Sequence, residues 1–336
     1  MSEWQQIIGH DWAVEVLSSA IKHDRVGHAY LITGPAQVGK TTLAKIFAQA
    51  LNCEGGGLFA TTGDRPCGRC RQCMLMKAGR HPDVRFVEPD VSARGKLSIK
   101  IDTIRELQRG LQLAAYEGRY KVVIIRGFDA ANRNAANAFL KTLEEPPSNT
   151  VILLTATDAD TLLDTIKSRC RVVGIRPIPT PTIEQALVTR WHTPSADATL
   201  LAHVSNGRLG WAVAAANDPS ILESRNEQLG LLQELLGASL VARFKIADKL
   251  ARKADALPLM LNLWLGWWRD LFLVSGGSSL IANIDERERF DQFSAEWSAK
   301  AIHDSLSATK TALWQLEKNA NARLVLEALF LIYPSA

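Results

Sequence analysis

The sequence predicts an α/β protein, a doubly wound parallel sheet followed by an all-helical half. Three observations carry this reading. Strand and helix signals alternate through the first half, a phosphate-binding loop joins the first strand to the next helix, and beyond Thr182 the pattern is helical throughout. Alternation of this kind is the signature of parallel sheets covered by helices.

The elements follow in order. His28 to Thr33 is a short apolar run ending at glycine, and Thr41 to Leu51 has helical periodicity. Asp83 to Val87 reads as a strand. Ile101 to Leu113 reads as a helix, because Ile101, Ile104, Leu107 and Leu111 recur every three or four residues. Lys121 to Ile125 and Val151 to Leu154 are continuous aliphatic runs, as expected of strands buried on both faces. Between them Asn134 to Glu144 is helical and is stopped by Pro146-Pro147. Arg176 to Pro181 carries prolines at 177, 179 and 181 and reads as a linker. Beyond it stand a small helical unit to about residue 218 and longer amphipathic segments to the end. There Trp264, Trp267 and Trp268 share a helical face with Leu261 and Leu271, a stripe read as core or subunit contact.

At 336 residues, 47% hydrophobic and 22% charged, the chain has the composition of a soluble multidomain protein. Met1-Ser2-Glu3-Trp4 lacks the basic and apolar regions of a secretory signal, and the apolar stretch from Leu257 to Trp268 is too short for a bilayer span. The expectation is a cytoplasmic protein with no membrane partner. Net charge is only +4, which excludes a uniformly basic nucleic-acid binder. A local surplus exists, with Lys or Arg at 94, 96, 100, 105, 109, 119, 121 and 126 against Asp102, Glu106 and Glu117. On charge alone this reads as a solvated surface; the competing reading is a phosphate-facing patch.

Gly34-Pro35-Ala36-Gln37-Val38-Gly39-Lys40-Thr41 fits the P-loop pattern G-x-x-x-x-G-K-S/T completely, with Thr42 next. Glycines let successive backbone N–H groups converge on phosphate oxygens at a helix N-terminus. Lys40 would then meet the β and γ phosphates of ATP, and Thr41 a magnesium ion. Hydrolysis needs, in addition, acids at the end of a neighbouring strand. Here the run 122–125 ends in Arg126-Gly127, a cation where a metal anchor is expected, and the direction of the chain makes Asp129 a poor substitute. Binding without turnover is the expectation.

Cys67, Cys70 and Cys73 form a C-x2-C-x2-C run, with Cys53 fourteen positions earlier. Four thiolates complete a tetrahedral zinc site, and no spare His, Asp or Glu points to an open catalytic position. An iron–sulfur cluster is the chemical competitor and free thiols are the bland reading. Arg65, Arg69 and Arg71 would offset the site's negative charge.

Several of these segments resemble a known family. They are His28 to Leu31 before the P-loop, the four-cysteine insertion after its helix, Asn137 to Pro147, Ser168-Arg169-Cys170, and Leu316 to Glu327 near the end. Together they are similar to the bacterial clamp-loader AAA+ subunits of the DNA polymerase III holoenzyme, of the gamma/tau and delta-prime type, with the last segment typical of delta-prime. The resemblance covers nearly the whole chain. It implies a RecA-like AAA+ domain over 1–175 with a zinc module at about 53–73, a helical lid over 176–218, and a C-terminal all-α collar over 219–336.

It also implies a set of site residues. Arg169 would act in trans as an arginine finger on a neighbour's ATP. Thr157, or alternatively Thr155, matches the sensor-1 region, Arg208 stands at the sensor-2 position or is a plain surface arginine, and Ile8 lies in the segment that packs on adenine. The implied partners are the gamma/tau motor and delta subunits in a pentameric ring, the sliding clamp, and primed DNA. The function that follows is a ring stator which binds ATP without hydrolysing it and supports clamp loading. Its alternatives are a gamma/tau-type ATPase motor, disfavoured by Arg126-Gly127, and a nucleic-acid-binding zinc protein, disfavoured by the modest basic surplus.

Overall fold

The computed structural model describes residues 3–55, 65–91 and 97–335. Arg94 and Lys96 of the basic segment, and part of the cysteine insertion, lie outside the described residues. The chain divides into two compact units. The first runs to Ile183 and takes in Gly207–Trp211; the second comprises Glu184–Asn206 and everything from Ala212 onward. No helix among the described residues is long and apolar enough to cross a membrane.

Among the described residues the first unit has seven strands: β1 (Ala29–Thr33), β2 (Val84–Val87), β3 (Asp90–Val91), β4 (Leu97–Ser98), β5 (Lys121–Ile125), β6 (Thr150–Ala156) and β7 (Arg171–Gly174). Five of them form one parallel sheet in the order β2-β5-β6-β1-β7, and β3 and β4 pair separately. The three central strands are the aliphatic runs, because only strands covered on both faces can be apolar at every position. Ile124, for example, stands opposite Leu153, and Leu31 opposite Leu154.

Its helices are α1 (Asp11–Lys22), α2 (Lys40–Asn52), α3 (Arg71–Lys77), α4 (Ile101–Leu111), α5 (Arg133–Glu144), α6 (Asp164–Lys167) and the start of α7 (Thr180–Trp191). On one sheet face Leu31, Val123, Ile125 and Leu154 pack with Ile104, Leu107, Phe139 and Ile166 from the helices. Side chains alternate between faces along a strand, so Tyr30 points the other way and meets Phe47 of α2 edge-on at 5.0 Å. The Asn132 side chain caps α5 by accepting from the Ala135 N–H at 2.8 Å. Glu145 leaves helical geometry at φ −124°, ψ 69°, as the residue before proline must.

The second unit holds the rest of α7, then α8 (Ser195–Val204), most of α9 (Leu209–Asn217), α10 (Ser220–Leu236), α11 (Leu240–Ala251), α12 (Leu257–Ser275), α13 (Arg287–Glu296), α14 (Ala299–Glu317) and α15 (Ala322–Ile332). The tryptophan stripe is core. Trp264, Trp267 and Trp268 are fully buried on α12 against Leu232, Phe290, Phe330 and Tyr333. Their polar edges are partly satisfied, Trp264 by the Gln228 carbonyl at 2.9 Å and Trp267 by Glu286 at 3.1 Å. Arg243 is buried among carbonyls. Its guanidinium donates to Phe330 O (2.8 Å), Tyr333 O (2.7 Å), Leu236 O (3.0 Å) and Pro334 O (2.7 Å). One cation thereby meets the negative ends of α10 and α15, where helix dipoles favour it.

Candidate nucleotide and metal sites

The P-loop follows directly on β1. Gly34 has φ +146°, and a Cβ there would lie 2.4 Å from the Ile175 carbonyl, so strand and loop close up only with glycine. Gly39, at φ +112°, opens α2. Lys40 Nζ donates to the carbonyls of Gly34 (2.5 Å) and Pro35 (2.6 Å). Thr41 and Thr42 sit in the first turn of α2, half-buried and exposed respectively.

Three other segments grip the loop. His10, almost wholly buried, sets Nε2 2.9 Å from the Val38 carbonyl. The half-buried Ile8 stands two residues before it. Gly210 N–H donates to Gln37 O at 2.8 Å, and a Cβ at Gly210 would lie 2.8 Å from that same oxygen. Arg208, two residues earlier, is half-buried, and burial lowers its pKa from the ordinary arginine value. The third segment is Thr157, whose carbonyl accepts from Gly34 N–H at 3.2 Å. Thr155, by contrast, is buried and receives the Gly127 N–H at 3.0 Å, supporting the turn after β5.

That turn decides the charges facing Lys40. Gly127 adopts φ +60° and folds the chain back into a short 3-10 turn, Phe128–Ala130. Asp129 is thereby closer to the loop than the chain direction implies. Its Oδ2 accepts from both the N–H (3.0 Å) and the hydroxyl (2.5 Å) of Thr157. Arg126 turns outward to Glu88 at 2.7 Å. Burial, opposed by Asp129 and reinforced by Arg126, pulls Lys40 down to about 8.

The sign of this shift gives a prediction. Because the folded value lies below the ordinary 10.5, the buried ammonium costs stability below pH 8, and the cost fades as pH rises from 8 to 10.5. A bound triphosphate needs the ammonium, so ATP affinity should be flat up to about pH 8 and then fall by about tenfold per pH unit. Titrating a fluorescent ATP analogue between pH 7 and 9.5 checks this. Lys40→Arg, which stays charged, should remove the fall, and a wild-type profile flat across the range would refute the role of Lys40.

The four cysteines converge. Cys53 ends α2, Cys70 caps α3, Cys73 lies within it, and Cys67 precedes both. All four Sγ atoms lie within 4.8 Å of one another, and the pairs Cys67–Cys73 and Cys53–Cys70 are each 4.0 Å apart. Tetrahedral zinc with Zn–S bonds of about 2.3 Å needs sulfurs about 3.8 Å apart, so the set fits once the sulfurs draw together by up to about 1 Å. Backbone N–H groups already point at sulfur: Gly55 and Cys67 to Cys53 at 3.3 Å, and Cys70 to Cys67 at 3.4 Å. Such donors favour thiolates. Arg71 reaches Glu117 at 3.0 Å, and Asp83 fixes that neighbouring loop through the N–H groups of Tyr116, Glu117 and Gly118 at 2.6, 2.9 and 2.7 Å.

Arg169, just past α6, donates from Nη1 to Thr165 O (2.8 Å) and from Nη2 to Glu144 (2.7 Å) at the end of α5. Part of the basic segment also gathers. Arg105 and Arg109 of α4 join Lys141 of α5 around a polar cavity of about 530 Å³.

Gly210 and Glu144 are absent from the sequence-based site. Gly210 holds the loop through a backbone carbonyl, which leaves no side-chain motif. Glu144 meets Arg169 only once α5 and α6 are packed together.

Comparison with known proteins agrees with the geometry. The family model for the DNA polymerase III, delta subunit matches residues 9–179. The chain is 30% identical over 323 residues to DNA polymerase III subunit delta' of Bacillus subtilis (strain 168), covering 95% of this chain and 94% of that protein. It is 41% identical over 167 residues to subunit delta' of Pseudomonas aeruginosa, covering 50% of this chain and 46% of that one. With Escherichia coli (strain K12) subunit tau it shares 38% identity over 164 residues, 49% of this chain but 24% of the relative.

Proposed function

The chain belongs to the DNA polymerase III delta-subunit family, as a clamp-loader subunit of the delta-prime type, and from that premise we propose that it is a non-hydrolysing ring component which binds ATP and serves its neighbour's active site. The observation that carries the proposal is an intact P-loop beside a strand, β5, that ends in Arg126 and Gly127. Lys40, Thr41 and Thr42 supply phosphate and magnesium contacts, with Gly34 and Gly39 shaping the loop. Ile8 covers the base, and Thr157 and Arg208 approach the phosphates from the strand and lid sides. The end of β5 carries Arg126 and Gly127 in place of a pair of carboxylates, and Asp129, just beyond, is held by the N–H and hydroxyl of Thr157. The pairing of Arg126 with Glu88 makes that position a surface ion pair.

In this reading residues 176–218 act as the lid and 219–336 as the collar that joins the gamma/tau motor and delta subunits in a five-membered ring. Arg169 reaches into the neighbouring motor, the four cysteines hold a structural zinc, and the groove of Arg105, Arg109 and Lys141 meets the phosphates of primed DNA while the ring loads the sliding clamp. The work is cytoplasmic.

The test separates binding from turnover. The purified chain should bind ATP, Lys40→Ala should weaken that binding at least tenfold, and neither protein should hydrolyse ATP above background. Robust turnover that disappears in Lys40→Ala would make the chain a motor and overturn the proposal.

A further inference from the structure

We infer that Glu144 is the positioning residue for Arg169, holding its guanidinium in a fixed orientation before a neighbouring subunit's nucleotide arrives. The inference rests on the trans-finger reading of Arg169 and adds to it the group through which the finger is aimed. Arg169 is clamped from two elements. Nη2 meets Glu144 Oε1 at 2.7 Å, while Nη1 donates to Thr165 O at 2.8 Å and to Ser168 Oγ at 3.3 Å.

Both sides of the clamp are rooted in one core. Leu143, beside Glu144, and Ile166, three residues before Arg169, are both fully buried in the cluster that packs on the sheet. Glu144 closes α5, where the partial negative charge of the helix end adds to the attraction for a cation. Nearby Lys167 is engaged by Asp160 at 3.1 Å and Asp164 at 2.8 Å.

The pair is too exposed to matter much for folding, with side chains 32% and 48% accessible. What it changes is freedom. A long side chain that must find one geometry at another subunit's phosphate loses rate for every rotamer it explores, and a partner that holds the guanidinium beforehand removes that loss. Three of the five guanidinium N–H donors serve this clamp, which leaves two for a phosphate.

The test uses the complex assembled with motor and delta subunits, clamp and primed DNA, under single-turnover conditions. The relevant signal is the phase of ATP hydrolysis that Arg169→Ala removes. Glu144→Ala should slow that phase by roughly tenfold, the order of an arginine's rotamer freedom, with ATP affinity of the complex within about twofold of wild type. Glu144→Gln, which keeps an acceptor, should slow it less. Both changes should be silent in an Arg169→Ala background. Full or increased rate in Glu144→Ala, or an equal loss without Arg169, overturns the inference while the finger reading stands. If Arg169→Ala itself removes no phase, the finger reading falls and this inference with it.

Discussion

If Arg169 serves a neighbour's nucleotide as proposed, Arg169→Ala should abolish hydrolysis at that neighbouring site and leave the chain's fold, metal content and own ATP affinity unchanged. The cost to folding is small because the residue sits in a half-exposed ion pair with Glu144, a class of interaction worth under about 1 kcal/mol. The cost to chemistry is large. As the γ phosphoryl group leaves, negative charge spreads over oxygens that a guanidinium meets with two donors. Fingers supplied in trans are worth about 10³–10⁵ in rate. Bulk turnover dilutes this loss across the ring's other sites, so single-turnover kinetics are the right measurement, and clamp loading should slow in parallel. Arg169→Lys should rescue poorly, since an ammonium cannot make the two-donor contact. A complex with the alanine variant that hydrolyses in wild-type phases at wild-type rates would reduce Arg169 to a surface residue.

How much of this was legible in the chain follows from what each feature needs. The central strands announce themselves, because Lys121 to Ile125 and Thr150 to Ala156 are buried on both faces and tolerate almost nothing polar. The edge strand β7 does not. Its four residues are mostly exposed and carry no periodicity. The P-loop and the cysteine spacing were readable because phosphate and metal geometry constrain residues close together in sequence. Asp129 was harder. The run of the chain after β5 suggested a side chain aimed elsewhere, but the left-handed turn at Gly127 brings it back to Thr157. Arg169 was visible within its tripeptide, whereas Glu144, on a different helix, became visible only in the packed structure. Local chemistry leaves a signature; positioning by packed neighbours leaves none until the fold is known.

The cysteine cluster should hold one zinc per chain, and losing a ligand should cost the metal before it costs the fold. The neutral cluster is poised unevenly. Cys53, helped first by a hydrogen bond from Cys73 and then by backbone N–H groups, is pulled down to about 5, whereas Cys73 and Cys70 are pushed above the ordinary thiol value. Cys53 is thus the sulfur readiest to meet a metal as a thiolate, while Cys70 and Cys73 give up protons to it. Zinc affinity should therefore rise with pH, with protons released on binding. Structural zinc sites of this kind are worth roughly 10–16 kcal/mol in apparent binding free energy, so protein purified without added metal should retain close to one equivalent. Cys67 is half-buried and precedes α3, whereas Cys73 is buried within it. Cys67→Ser should accordingly lose zinc and protease resistance around residues 65–77 while the main thermal transition of the sheet moves little. Cys73→Ser should lose zinc and also lower that transition, because Cys73 is wholly buried in α3, which packs against α2. Elemental analysis decides the matter. Iron with visible charge-transfer absorption in place of zinc, or full zinc content in Cys67→Ser, would show that the four sulfurs do not act as a tetrahedral zinc site.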